Sequence, residues 1–148
     1  VEELSRRLAC VDDGSHPSGC AVGALTMRMK QFHEESEVLV PGIASAFACK
    51  DLTALSSLVS RSQTLTCTHL RNTVEETEWL PPAAIELGAI SASAFGAGFG
   101  GSCWALARTE DAEELACKWH EAYVRQFPQR AGTCQFFVTA PGPGACAI

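Results

Sequence analysis

Residues 91–107 read SASAFGAGFGGSCWALA, and the reading of this stretch decides the fold. Gly96, Gly98, Gly100 and Gly101 crowd into six residues, with small or apolar runs on either side that read as strands. The stretch is therefore strand, glycine turn, strand. Glycine loses more backbone entropy on folding than any other residue, so a cluster in mid-domain needs a reason. Either the turn requires positive φ angles, or bare backbone N–H groups must be approached closely by an anion.

Three glycine motifs can be set aside. Gly96, Gly98 and Gly101 spell G-x-G-x-x-G, and Glu121 follows about twenty residues on, where a dinucleotide fold places its acidic residue. That fingerprint needs a helix to open at the third glycine, whereas Ser102-Cys103-Trp104-Ala105-Leu106-Ala107 reads as strand. No Lys follows the glycines, so a Walker-type loop fails. The V-A-I-K, H-R-D and D-F-G elements of protein kinases are absent.

The run Gly96-Ala97-Gly98-Phe99-Gly100-Gly101-Ser102 resembles motif three of the GHMP kinases in its galactokinase form. The resemblance extends to residues 28–38 (RMKQFHEESEV), to Lys50-Asp51-Leu52 with Leu58-Val59-Ser60, and to residues 137–145 (FVTAPGPGA), in the family's order. It covers the chain from about Ala21 to the C-terminus. Many members carry Gly, Arg or Lys, and Thr just before the glycines; this chain has Ser91, Ser93 and Phe95, a departure that bears on sugar specificity.

The resemblance implies transfer of the ATP γ-phosphate, with Mg²⁺, to a sugar hydroxyl, galactose C1-OH first among them. The loop Gly96, Ala97, Gly98, Phe99, Gly100, Gly101 and Ser102 is then the phosphate- or substrate-binding element. The alternatives are a GHMP kinase for another sugar or a uronic acid, and a non-catalytic binding module that retains the fold. The main phosphate loop, catalytic Asp and galactose signature of such kinases have no counterpart in these 148 residues. The chain is thus expected to be one domain, 1–148, the C-terminal half of a sugar kinase. It is expected to be inactive alone, to hold no catalytic residue or metal, and to partner its own N-terminal half through an exposed apolar surface.

Bulk properties agree. A length of 148 residues suits one domain with a single core. A net charge of −6 argues against nucleic-acid or anionic-membrane surfaces, and suits a free-standing ATP site poorly. No apolar run approaches membrane-spanning length. The eight cysteines have irregular spacing and no C-x-x-C, so we read them as buried thiols of a cytoplasmic protein. His16, His33, His69 and His120 show no zinc-ligand spacing with any Cys.

The remainder reads as mostly helical up to the glycine hairpin. Residues 1–10 read as the end of a helix and 11–19 as a loop, with Asp12 and Asp13 in a solvated turn. Val22, Leu25, Met29, Phe32, Leu39, Ile43 and Phe47 mark one face of a helix over 21–47, with a break predicted at Pro41-Gly42. On it, His33, Glu34, Glu35 and Glu37 read as a solvated face.

Asp51 caps the next helix, with Leu52, Leu55, Val59 and Ser62 inward, and His69 falls in a polar turn. Asn72 and Glu75 suggest a capping box, Pro81-Pro82 a first turn or a break, and Gly88 a helix stop before a strand over 89–95. Strand 102–107, apolar throughout, is predicted at the centre of a covered sheet. Thr109 is predicted to cap a helix whose stripe is Leu115, Trp119 and Tyr123, and 134–139 (CQFFVT) to form the last strand. Helices followed by β–Gly loop–β–α–β make an α+β fold with an antiparallel sheet and a split-βαβ, ferredoxin-like second half.

Overall fold

The structure, a computed structural model, describes residues 2–11 and 23–142. The readings on Asp12, Asp13, His16 and the last residues from Pro143 lie outside it. The elements are α1 (Glu2–Val11), α2 (Ala24–Glu34), α3 (Val40–Cys49), α4 (Leu52–Leu65), α5 (Glu75–Glu86), β1 (Ser91–Phe95), β2 (Ser102–Leu106) and α6 (Ala112–Gln126). Helices come first and an antiparallel β pair follows, which is the expected α+β class.

Two wide, π-type turns interrupt the helices, at Glu35–Leu39 and Thr66–Leu70. The first explains the chain's passage through Pro41. Val40 N–H reaches back to Glu35 O, five residues earlier, and α3 then starts with proline in its first turn, where a missing N–H costs nothing. The irregularity therefore falls before Pro41-Gly42, and the helix runs on. The extra residue also rotates the helix face. Leu39 is 1% exposed, but Phe32 and Phe47, expected inside, are 60% and 56% exposed, and Gln31 is buried instead.

α3 turns into α4 through Lys50, in the left-handed conformation at φ 56°, and Asp51. The Asp51 carboxylate accepts from Ala54 N–H at 2.9 Å, the predicted cap. The two helices pack through Ile43, Ala46, Leu55, Leu58 and Val59. Gly42 permits this approach, since a Cβ there would lie 3.1 Å from Leu58 Cδ1. Ser62 meets Glu35 at the far end, so the pair is antiparallel. Leu52 is 38% exposed, against expectation, and Gln63 takes an inward position at 8%.

α5 departs most from its sequence reading. Its N-cap is Val74, whose N–H and C=O are both bonded by the Thr77 hydroxyl, at 3.1 and 3.0 Å, so Asn72 and Glu75 make no capping box. Pro81 and Pro82 lie inside the helix rather than at a break. Pro81 cannot serve the carbonyl four residues back, Thr77 O, and the Gln63 amide on α4 donates to that carbonyl at 3.2 Å instead. A side chain from the neighbouring helix thus fills the broken rung. Gly88 ends α5 as predicted, at φ 109°, with Ala89 N–H bonded to Ala84 O.

β1 and β2 pair antiparallel from Ser91↔Leu106 to Phe95↔Ser102. One face of the pair packs with α5 and α6 around Leu80, Ala84, Ala92, Leu115, Trp119, Tyr123 and Phe127. The predicted stripe of α6 is buried there, and Trp119 Nε1 donates to Leu80 O at 3.0 Å. Toward α3 and α4, Ile90 and Leu106 join the second core.

Three expectations fail in this half. α6 starts at Ala112 after Asp111, because Arg108–Asp111 forms a separate turn that leaves Thr109 exposed. β2 is one strand of a two-stranded sheet and not a covered centre, and Trp104 is 38% exposed. Residues 134–139 join no ladder. Gln63 already occupies the outer edge of β1 at Ala94, and Phe136 turns onto Trp119 instead, with ring centroids 5.2 Å apart.

Candidate functional site: the glycine hairpin

The β1–β2 connection holds every residue predicted to bind phosphate or substrate except Ser102, which opens β2. Gly96, Gly98, Gly100 and Gly101 all have positive φ, between 90° and 116°, and Phe99 joins them at 58°. The turn needs glycine chiefly for that backbone. Gly98 adds a second requirement, because a Cβ there would lie 2.5 Å from the Asn72 carbonyl oxygen. The other three glycines meet nothing within 4 Å.

The loop's hydrogen bonding is uneven. Phe99 N–H donates to Asn72 O, and the Asn72 side-chain amine donates to Ala97 O at 3.2 Å. The N–H groups of Gly96, Ala97, Gly98 and Gly100 meet no acceptor among the described residues. They sit on an exposed to half-exposed loop, and Ser102 presents a hydroxyl beside them. Such a run of unclaimed donors in left-handed backbone suits an anion.

Of the three departures before the loop, Ser91 and Ser93 are buried, at 0% and 9%, and Phe95 is 56% exposed. Ser91 pairs across to Leu106, and its hydroxyl finds no partner among the described residues. We expect Ser91→Ala to hold or raise stability by up to about 1 kcal/mol in urea melts, since it removes an unpaired buried hydroxyl. Ser93 Oγ donates to Gln63 Oε1 at 3.0 Å, and Ala94 N–H donates to the same oxygen at 2.9 Å. Only Phe95 is placed to touch a ligand. With Phe99, 77% exposed, it gives the hairpin an apolar tip.

Sequence reasoning missed Gln63 and the true role of Asn72. Both reach the hairpin across 25 to 31 residues of chain. The only sequence signal for Gln63 was a polar residue one position from a predicted inner face.

Elsewhere, a cleft of about 420 Å³ lies between α2 and the second wide turn, lined by Lys30, His33, Glu34, Val38 and His69. It contains no loop residue. Glu34 is not simply solvated: Arg61 grips it in two hydrogen bonds of 2.8 and 3.1 Å, which hold its carboxyl below the usual range. Glu35 accepts from Ser62 Oγ at 2.6 Å. His69 sits in the wide turn, not a loose polar one. Among the described residues no three His, Cys, Asp or Glu side chains lie together as metal ligands would. No described helix is long and apolar enough to cross a membrane.

The cysteines whose side chains are described, Cys49, Cys67, Cys103, Cys117 and Cys134, are unbridged, but Cys49 and Cys117 are exposed rather than buried. Burial against the α5–α6 core pushes the Cys103 thiol up to about 12. At pH 8 its thiolate fraction is on the order of a thousandfold below that of an ordinary cysteine. Iodoacetamide at that pH is expected to modify Cys49 and Cys117 and to spare Cys103 until denaturant is added, as peptide mass mapping would show. The folded protein keeps a proton on Cys103 that the unfolded chain loses above about pH 8.5. The stability tied to this thiol is therefore full below that pH and lost as pH rises toward 12.

An α+β chain with helices first and a glycine hairpin between antiparallel strands matches a defined class. Residues 39–125, more than half of the chain, match the family model described as GHMP kinases C terminal, and the chain belongs to that family. A galactokinase from Thermococcus kodakarensis (strain ATCC BAA-918 / JCM 12380 / KOD1) is 33% identical over 98 residues, 66% of this chain. Those residues are 27% of that protein, so the match spans about a quarter of that relative's length.

Proposed function

We propose that this chain is the C-terminal half of a galactokinase-like enzyme that transfers the γ-phosphate of ATP to a sugar hydroxyl, with galactose C1-OH as acceptor. The observation that carries this reading is the glycine hairpin within a GHMP kinase C-terminal domain. Among the described residues nothing claims its amides at Gly96, Ala97, Gly98 and Gly100, and Ser102 stands beside them. The galactokinase relative supports the choice of sugar.

ATP supplies the phosphoryl group. This chain's contribution is positioning: the loop N–H groups and the Ser102 hydroxyl donate to phosphate or sugar oxygens at the cleft, and Phe95 and Phe99 shield them from water. Phosphoryl transfer depends mostly on such positioning and on charge stabilisation. The catalytic base, the main phosphate loop and the Mg²⁺ ligands belong to an N-terminal half, whose contact surface includes the exposed aromatic tip. We place the enzyme in the cytoplasm, with no role for nucleic acid or membrane.

A second reading, a kinase for another sugar or a uronic acid, is favoured by Phe95, which stands exposed where many members have Thr. Sugar-dependent ADP release by the complete polypeptide, run with MgATP over galactose, other hexoses and uronic acids, tests both. We expect galactose to give the highest kcat/KM. A preference for a uronic acid would replace the first reading by the second, and no sugar dependence would favour a non-catalytic module.

A further inference from the structure

We infer that Asn72 is a positioning residue that latches the glycine loop in its binding conformation, an inference that rests on the loop's proposed role. Four observations meet at this one residue, two at its backbone oxygen and two at its side chain. Its backbone oxygen accepts from Phe99 N–H. Its amine donates to Ala97 O at 3.2 Å. Gly98, between those two residues, approaches it so closely that a Cβ would lie 2.5 Å from its carbonyl oxygen. Its remaining oxygen, Oδ1, is cut off from water without a donor among the described residues, a state a carboxamide rarely keeps without a compensating role.

The chain aims Asn72 deliberately. Arg71, left-handed at φ 53°, ends the second wide turn, and its N–H closes that turn on Thr66 O at 2.8 Å. The reversal carries Asn72 away from the helix axis and onto the hairpin. The latch also divides the loop's donors. It consumes the Phe99 amide and leaves the amides of Gly96, Ala97, Gly98 and Gly100 for a ligand. A loop of four glycines is entropically costly to order, so an anchor at its centre lowers what binding must supply. Such preorganisation strengthens ground-state and transition-state binding alike, and it therefore acts on KM and not on kcat.

Two readouts test this on wild type and Asn72→Ala. Alanine keeps the backbone oxygen that holds Phe99 N–H but loses the clasp on Ala97 O, so the loop opens more often: amide exchange by NMR on the 148-residue chain is expected to speed about tenfold at Phe99, while amides of Val59 and Leu80 stay as protected as before. In the complete polypeptide, KM for MgATP or for the sugar is expected to rise about five- to tenfold, the loss of the one side-chain hydrogen bond to Ala97 O, with kcat within about twofold. Unchanged Phe99 exchange overturns the latch, whatever the loop binds. Faster exchange with neither KM moved upholds the latch and removes the loop from substrate binding. A parallel loss of protection at Val59 and Leu80 would make Asn72 a merely structural residue and overturn the inference. Asn72→Asp, which keeps the shape but loses the amine donor, is expected to behave as Asn72→Ala does.

Discussion

Replacing Gln63 with leucine is expected to lower the unfolding free energy by about 2–4 kcal/mol, out of the 5–15 kcal/mol usual for a domain. The side chain is buried and joins three elements. Its amine serves Thr77 O, the carbonyl that Pro81 abandons, and its oxygen accepts from Ser93 Oγ and Ala94 N–H. Leucine fills a similar volume but strands two backbone groups away from water. Ser93 is spared, because its hydroxyl also reaches Ala94 O at 3.1 Å. The check is a urea titration, in which the midpoint falls and the slope stays constant. An unchanged midpoint would mean that the proline-containing helix needs no outside donor.

Gln63→Glu gives a second handle with a pH sign. A buried carboxyl beside Thr77 O is favoured in its protonated form, which can donate as the amide does, so its folded pKa lies above the unfolded value of about 4.3. The folded state then binds the proton more tightly. Stability of this variant is expected to rise as pH falls through the folded pKa, and to level off below the unfolded one.

The second large effect concerns Gly98. Gly98→Ala puts a Cβ against Asn72 in a backbone at φ 90°, whereas Gly100→Ala meets open space at φ 116°. The positive φ alone costs about 1 kcal/mol at either site. We expect Gly98→Ala to cost about 2–3 kcal/mol, because the hairpin must also release the Asn72 contacts. If the proposed function holds, the same change in the complete polypeptide is expected to cut kcat/KM about a hundredfold, against tenfold or less for Gly100→Ala. Equal effects at the two glycines would show that the turn matters and the close approach does not.

Much of this was legible in the sequence because it is local. The glycine cluster marked positive φ, Asp51 marked a cap, Gly88 marked a stop, and Leu115, Trp119 and Tyr123 kept helical spacing. Illegible features depend on partners far along the chain. Pro81-Pro82 reads as a break unless Gln63 is known to fill the rung. Asn72 reads as a helix cap until the hairpin it grips is folded beside it. The wide turn at Glu35–Leu39 shifts the face, so a period counted across it points Phe32 and Phe47 inward when both face out. The run 134–139 has a strand's composition but finds an aromatic core rather than an open edge.

Under the proposed function, this domain positions substrate for chemistry whose catalytic groups lie outside it. The direct test is ADP release with MgATP and galactose, measured on the 148 residues alone and on the complete polypeptide. We predict no galactose-dependent release from the 148 residues and steady turnover from the complete chain. Turnover by the 148 residues alone would contradict the claim and require a catalytic base within them. No galactose-dependent turnover by the complete chain would remove the galactokinase reading.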